Sequence, residues 1–257
     1  MDSRQQKSNE EYTRLALKNE NLSEIAGRYA FDEGKEIDIW VDIKQKLDLK
    51  KDQTILDIGC GYGHLTKKLI EYSMINSCHL TLLDISAVVD AIISNFLNGI
   101  VPDNISFIKG NFPSVIGTDI KNKKFDRILT YSVVHYTSKP SEFIFSAVPL
   151  LKPSGKFLIG DLPNVNKKAR FILSDFGAQF DANYKKITVQ ELPKYKDVTD
   201  YIRQNRKMSN LKINDKLILS LMKKCRETGH EVFVLPQPVQ LPFSFTREDV
   251  LITNMND

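Results

Sequence analysis

The stretch that decides the fold is Ile55-Leu56-Asp57-Ile58-Gly59-Cys60-Gly61-Tyr62-Gly63-His64-Leu65-Thr66. An apolar run typical of a buried strand leads directly into a turn with glycine at alternate positions, and a helical pattern follows at once. Glycine lets the backbone turn sharply and approach a ligand closely, and the first turn of a helix offers unpaired N–H groups. The stretch therefore predicts a strand-turn-helix unit that forms a pocket for a nucleotide-like ligand.

Two common phosphate-binding motifs do not match this turn. The dinucleotide fingerprint GxGxxG needs its third glycine at position 64, which is His64. The phosphate-binding loop of nucleotide triphosphatases ends in GK[ST], which is also missing. Both kinds of site are disfavoured, and the motif that remains is DxGxGxG.

The same alternation of strands and helices continues on both sides of the turn. Strands are predicted over residues 54–58, 80–83, 105–108, 125–131 and 156–160. Helices are predicted over residues 35–47, 64–72, 87–97 behind Ser86 as the N-cap, and 140–151. Because strands joined by crossover helices pair in parallel, we expect an α/β fold with a doubly wound, mostly parallel sheet.

After Asp161 the alternation stops, and residues 164–210 are rich in Lys, Arg, Phe and Tyr. A helical stripe resumes at Ile218, Leu221, Met222 and Cys225, and strands are predicted over residues 231–235 and 249–253. We interpret residues 1–257 as one domain. Its parts are a helical amino-terminal arm (1–48), a ligand-binding core (52–163), an inserted substrate cap (164–212), and a helix with the last strands (213–257).

The composition excludes several classes of protein. The chain has 257 residues, of which 42% are apolar, and no apolar run is long enough for a membrane helix. A net charge of +4 is too small for a dedicated nucleic-acid binder. Because the chain starts without the apolar core of a secretory signal and has only three scattered cysteines, we expect a cytoplasmic location.

Four further segments resemble the class I S-adenosylmethionine-dependent methyltransferase family. Asp84 follows Gly63 by 21 residues, where the family has an acidic residue. Gly110-Asn111-Phe112 is similar to its Gly-Asp-hydrophobic element, from which Asn111 departs. The segments FDRILTYSVVHY (125–136) and LLKPSGKFLI (150–159) resemble the family's fourth and fifth strands.

The resemblance implies a Rossmann-like methyltransferase fold with an antiparallel last strand, S-adenosylmethionine as cofactor, S-adenosylhomocysteine as product, and no metal. It implies that Asp84 accepts hydrogen bonds from the ribose hydroxyls. Asp57 either holds the glycine loop or touches the cofactor's amino group. The residues expected to bind the cofactor are Tyr29, Asp57, Gly59, Cys60, Gly61, Gly63, Asp84, Ile85, Asn111, Phe112 and Tyr131.

Two residues are candidates for the chemistry of methyl transfer. A hydroxyl acceptor must lose its proton, and His135 at the end of the fourth strand is the first candidate base because imidazole titrates near neutral pH. Asp161 at the end of the fifth strand is the second. The alternative for His135 is a role in packing or in positioning other groups. The alternative for Asp161 is that it only orients a loop.

The basic and aromatic residues of the cap indicate which chemical class of acceptor the protein binds. Lys168 and Arg170, close to the fifth strand, are predicted to bind a small anionic molecule such as a phosphorylated or nucleotide-linked metabolite. The chain also resembles small methyltransferases of bacterial surface-polysaccharide biosynthesis, including those of capsular methyl phosphoramidate. The alternatives are methylation of RNA or protein, and a catalytically silent cofactor-binding partner. No nucleic-acid or membrane partner is expected, and the oligomeric state stays open.

Overall fold

The computed structural model describes residues 6, 9–14, 34–120, 122–205, 213–241 and 243–255. Its centre is a seven-stranded sheet of order β3-β2-β1-β4-β5-β7-β6. The strands are β1 (Thr54–Ile58), β2 (His79–Asp84), β3 (Ile105–Lys109), β4 (Phe125–Tyr131), β5 (Leu151–Leu162), β6 (His230–Pro236) and β7 (Glu248–Asn254). Strands β1 to β5 pair in parallel, whereas β7 is antiparallel to both β5 and β6. The expected fold class is confirmed.

Helices flank this sheet, and residues 9–14 of the amino-terminal arm are also helical. The helices are α1 (Lys35–Leu47), α2 (His64–Ile75), α3 (Ser86–Asn95), α4 (Pro140–Ala147), α5 (Val165–Ile172), α6 (Asp175–Lys185), α7 (Val198–Gln204) and α8 (Asp215–Arg226). No helix in the described part of the chain is long and apolar enough to span a bilayer.

The strands bury both faces because the helices cover both. Ile55 belongs to the apolar cluster that contains Ile43 of α1, whereas the next residue, Leu56, belongs to the cluster that contains Leu221 of α8. Successive side chains of a strand point to opposite faces, so a strand between two helical layers must be apolar at nearly every position. This explains the unbroken apolar runs in the sequence.

The strand order reverses between β1 and β4, which are parallel neighbours. In open α/β sheets, a crevice for ligands forms at such a reversal, outside the carboxyl ends of the strands. The glycine turn after β1 lies at this position.

Several predicted boundaries need correction. Ser86 is the first residue of α3, and Ile85 is the N-cap. Helix α4 ends at Ala147, followed by a 3-10 turn that contains Pro149, because proline cannot donate a helical hydrogen bond. Strand β5 begins at Leu151, five residues before the predicted start, and includes an irregularity in its pairing with β4. The cap forms α5, α6 and α7.

Candidate active site

The glycine turn needs its glycines for two different reasons. Gly59 has φ +73°, and a Cβ atom there would lie 2.7 Å from a Val133 methyl group. Gly61 has φ +67°, and a Cβ atom there would meet nothing within 4 Å. A left-handed backbone favours glycine at both positions. Gly59 is therefore fixed by packing against the end of β4, whereas Gly61 borders open space.

The carboxylate of Asp84 joins the glycine turn to the end of β2. It accepts hydrogen bonds from the N–H of Gly61 at 2.8 Å and from the N–H of Ile85 at 2.7 Å. Burial raises the pKa of Asp84 to about 6, against the opposing effect of these two N–H donors. Backbone donors thus hold the carboxylate in one orientation before any ligand arrives.

Asp57 is the second buried carboxylate of this region, with 2% of its surface exposed. Burial and, as the smaller cause, the negative charge of Asp84 together raise the pKa of Asp57 to about 8. Asp57 is not among the described residues that line the adjacent cavity. Its two predicted roles, holding the loop or touching the cofactor, stay open.

A cavity lies beside the glycine turn and extends across the carboxyl ends of β1, β2, β3 and β4. Of the residues predicted to bind a cofactor, nine line it: Gly59, Cys60, Gly61, Gly63, Asp84, Ile85, Asn111, Phe112 and Tyr131. The predicted Tyr29 lies outside the described residues. Residues far apart in the sequence thus meet at one cavity, as the motif spacing predicts.

The amino-terminal arm supplies residues to the cavity that the sequence analysis missed. The ring of Tyr12 packs edge-on against Tyr136 with centroids 5.8 Å apart, and the Asn9 amide donates to the Asn111 side chain at 3.1 Å. Burial raises the pKa of Tyr12, as do Tyr136 and the charge of Asp84. The only sequence signal for Tyr12 is an aromatic residue in an otherwise polar arm.

Asp161 belongs to a buried polar network next to Tyr131. Its carboxylate forms an ion pair with Arg247, and its N–H donates to Asp249 at 2.8 Å. The amide nitrogen of Gln237 lies 3.3 Å from Asp161 Oδ1, 3.1 Å from Asp249 Oδ1 and 3.4 Å from the Tyr131 hydroxyl. The network therefore connects the wall of the cavity to β7, through residues that the sequence analysis did not single out.

Asp249 is fully buried, and a lysine side chain of helix α1 forms an ion pair with its carboxylate. The ammonium of Lys46 lies 2.7 Å from Asp249 and 2.6 Å from Asp42, and it also donates to the Pro236 carbonyl. Burial raises the pKa of Asp249, and Lys46 opposes that rise. The charge of Lys46 makes it possible for the carboxylates of Asp42 and Asp249 to remain buried.

The two histidines near the cavity occupy different places. His135 lies on the 3-10 turn Val134–Tyr136, with its ring 4.2 Å from that of Tyr136, and is not among the described lining residues. His64 begins α2 and does line the cavity. The role of His135 as a base stays a prediction.

The two basic residues predicted to bind the acceptor differ in their surroundings. Arg170 forms an ion pair with Asp215 at the start of α8. Lys168 is half-buried, and its ammonium has no hydrogen bond or ion pair within the described ranges. Neither residue is among those described as lining the cavity.

Comparison with known proteins identifies the family. A family profile described as "Methyltransferase domain" matches residues 49–215. The chain belongs to this family. The matched region begins before β1 and reaches the first residue of α8, so it includes the cap and most of the residues that line the cavity, but not Asn9 and Tyr12 of the arm.

The curated relatives are malonyl-[acyl-carrier protein] O-methyltransferases. The protein of Haemophilus ducreyi is 29% identical over 141 residues, which cover 54% of this chain and 52% of the relative. That of Halalkalibacterium halodurans is 25% identical over 118 residues, covering 46% and 42%. The chain thus spans about half the length of the curated relatives it matches.

Solved structures share the fold at low identity. A putative S-adenosyl-L-methionine-dependent methyltransferase of Methanococcus maripaludis has a TM-score of 0.54 and 17% identity, covering 95% of this chain and 94% of that one. The plantazolicin methyltransferase BamL, in complex with a triazolic desmethylPZN analog and S-adenosylhomocysteine, also has a TM-score of 0.54 and 17% identity, covering 98% of both chains. The expected class I methyltransferase fold is confirmed.

The cavity of this methyltransferase domain fits the expected cofactor. Asp84, fixed by two N–H donors, faces the cavity as a hydrogen-bond acceptor for ribose hydroxyls. Asn111 and Phe112 offer an amide and a ring to an adenine, and Gly61 leaves open space where a side chain would intrude. Tyr131, the last residue of β4, lines the cavity on the opposite side of β1 from Asn111. No group of three or more His, Cys, Asp or Glu among the described residues could hold a metal ion.

Proposed function

We propose that the protein transfers a methyl group from S-adenosylmethionine to an oxygen atom of a small anionic acceptor. The observation that carries this proposal is the cavity that joins the Asp84 carboxylate, held by Gly61, to Tyr131 at the end of β4. S-adenosylmethionine supplies an electrophilic methyl group when bound. The task of the protein is then to align an acceptor with that group.

An anionic acceptor needs no proton removed before it attacks. Asp161 already forms an ion pair with Arg247 and lies within 3.3 Å of the Gln237 amide. Both carboxylate oxygens of Asp161 are therefore already engaged as hydrogen-bond acceptors within the protein. This supports an acceptor oxygen that is ionised at neutral pH, such as a carboxylate or a phosphate.

The names of the curated relatives favour a carboxylate among these acceptors. Both are named as O-methyltransferases of malonyl-[acyl-carrier protein]. Lys168 and Arg170 of the cap remain the predicted acceptor-binding residues. A role in capsular or other surface-polysaccharide biosynthesis, such as the methyl phosphoramidate modification, stays a prediction, since none of the relatives reported above carries such a name.

A turnover assay tests the proposal. The protein is incubated with methyl-labelled S-adenosylmethionine and three acceptor groups: malonyl thioesters, phosphorylated sugars and nucleotide-linked sugars. We expect labelled product with an anionic acceptor, and none in the Asp84→Lys variant. Transfer to RNA or protein alone would favour the alternative substrates. Tight binding of S-adenosylhomocysteine without any turnover would favour a catalytically silent partner.

A further inference from the structure

Arg247 is a partly buried cation that is connected to the cavity, although it is not among the described residues that line it. It directly precedes β7 and forms an ion pair with Asp161 at the end of β5. Asp161 in turn is hydrogen-bonded to Gln237, whose amide reaches the Tyr131 hydroxyl at 3.4 Å. Arg247 is thus connected to the cavity wall through two side chains.

The guanidinium of Arg247 is held in place but keeps donors free. One nitrogen, Nη1, binds Asp161, and one face of the group lies over the Phe243 ring at 4.3 Å from its centroid. The remaining guanidinium N–H groups have no partner within the described ranges of the chain. A planar guanidinium with free donors can bind a carboxylate or a phosphate with two parallel hydrogen bonds.

Lys168 is a second cation in this region, because its neighbour Lys167 donates a hydrogen bond to the Arg247 carbonyl and so brings α5 against Arg247. Burial lowers the pKa of Lys168, and the charges of Arg247 and Lys185 lower it further, against the effect of Asp181. Lys185 is itself neutralised by Asp181 at 2.7 Å. The described residues leave the ammonium of Lys168 without a close ion pair, and the Asp181 carboxylate that acts on it is already bound to Lys185.

An aromatic wall adjoins the two cations. Phe171, one helical turn after Lys168, stacks on Phe245 with centroids 5.1 Å apart and planes at 7°. Phe176 packs edge-on against both rings and is 59% exposed. An apolar or ring-bearing part of a ligand could therefore pack beside the charged groups.

We propose that Arg247 and Lys168 form an oxyanion subsite for the acceptor, and that Asp161 positions Arg247 instead of acting as a base. The inference rests on the proposed function and deepens it. The sequence analysis predicted that Arg170 binds the anionic acceptor, but Arg170 forms an ion pair with Asp215. We assign this role to Arg247. The ligand is a carboxylate or phosphate group attached to an apolar or aromatic part.

Binding of simple oxyanions tests the subsite without any turnover. Malonate and pyrophosphate are titrated separately by calorimetry into protein saturated with S-adenosylhomocysteine. The variants are Arg247→Gln, Lys168→Gln and Asp161→Asn. The matched control is Arg226→Gln, because Arg226 also forms an ion pair, with Glu231, but lies on the exposed end of α8. Lys168→Gln breaks no ion pair among the described residues, so it gives a result even if Arg247→Gln unfolds.

We expect saturable binding of at least one anion to the unmodified protein, weakened about tenfold or more in Arg247→Gln and Lys168→Gln and unchanged in Arg226→Gln. Preference for malonate over pyrophosphate identifies a carboxylate subsite, and the reverse preference a phosphate subsite. Asp161→Asn should weaken binding of the anion but leave the pH dependence of turnover unchanged, since a positioning residue exchanges no proton with the acceptor. Equal anion binding in all variants, or none in the unmodified protein, overturns the inference. Failure to bind S-adenosylhomocysteine at all would instead overturn the proposed function.

Discussion

The N–H of Gly61 donates to the carboxylate of Asp84 at 2.8 Å, and this single hydrogen bond joins the turn after β1 to the end of β2. The two residues line the same cavity. Any ligand that binds the carboxylate must therefore also pass close to the open backbone at Gly61. The glycine turn and the Asp84 carboxylate therefore form one binding site, and the first prediction tests it.

Replacing Asp84 by Lys should abolish or strongly weaken binding of S-adenosylhomocysteine. The change removes two acceptor oxygens and places a cation opposite the ribose hydroxyls, at a cost of about 1 to 3 kcal/mol or more. Calorimetry measures the affinity, and circular dichroism checks that the variant is folded. Unchanged affinity in a folded variant would contradict the assignment of this site.

Affinity for S-adenosylhomocysteine should depend on pH through Asp84. Burial raises the pKa of Asp84 to about 6, and only the ionised form offers acceptors on both oxygens. The dissociation constant should therefore rise about tenfold per pH unit as the pH falls below 6. In Asp84→Asn, which does not titrate, the affinity should be nearly constant over this range. A flat profile for the unmodified protein would contradict the prediction.

The stability of the ligand-free protein should show the opposite dependence on pH. Because the pKa of Asp84 in the folded protein lies above its ordinary value of 3.8, protonation favours the folded state. The contribution of Asp84 to stability should therefore increase as the pH falls from about 6 towards 4. Comparing urea unfolding of the unmodified protein with that of Asp84→Asn isolates this contribution from other groups.

The two left-handed glycines should respond differently to alanine. Both substitutions cost about 1 to 2 kcal/mol for the backbone. Gly59→Ala should lose about 1 to 3 kcal/mol more, because its Cβ would lie 2.7 Å from Val133. Gly61→Ala should keep most of its stability but bind S-adenosylhomocysteine more weakly, since its Cβ points into the cavity. Urea unfolding and calorimetry measure the two effects.

The double variant Gly59→Ala/Val133→Ala is the control for this packing argument. It should recover part of the stability that Gly59→Ala loses, because the truncated side chain leaves room for the new methyl group. Additive losses in the double variant would show that crowding by Val133 is not the cause.

His135→Ala should change the turnover number only by a few-fold if the acceptor is already an anion. A hydroxyl acceptor would need a base, and the variant would then lose about 100-fold or more in kcat while its affinity for S-adenosylhomocysteine stayed the same. His79→Ala, at the exposed start of β2, is the matched control. A large loss confined to His135→Ala would refute an acceptor that is ionised before the reaction.

The local pattern of the sequence predicted the central part of the fold well. The observed bounds of α1, β1 and β4 equal the predicted ones, because their apolar periodicity is strong and their ends are marked by polar residues or glycine. The sequence also placed Asp84 at the end of the strand that follows the glycine turn, and there its carboxylate contacts Gly61 of the turn. Such contacts follow from one strand-turn-helix unit and its neighbour.

The contacts that complete the site could not be read from local patterns. The Arg247 and Asp161 side chains are 86 positions apart, and Gln237 and Tyr131 are 106 apart. They meet because β7 enters the sheet between β5 and β6, which no local pattern determines. Tyr12 was missed for a related reason: the polar stretch around it, residues 1–14, has no apolar periodicity to show which surface it contacts.

Calorimetric titration of S-adenosylhomocysteine and NAD into the same preparation is the most direct test of the central claim, that this cavity is a methyltransferase cofactor site. The account predicts saturable one-to-one binding of S-adenosylhomocysteine, at least about 100-fold tighter than NAD. His64 occupies the position of the third glycine that a dinucleotide site requires. Equal or tighter binding of NAD, or no binding of S-adenosylhomocysteine, would contradict the account.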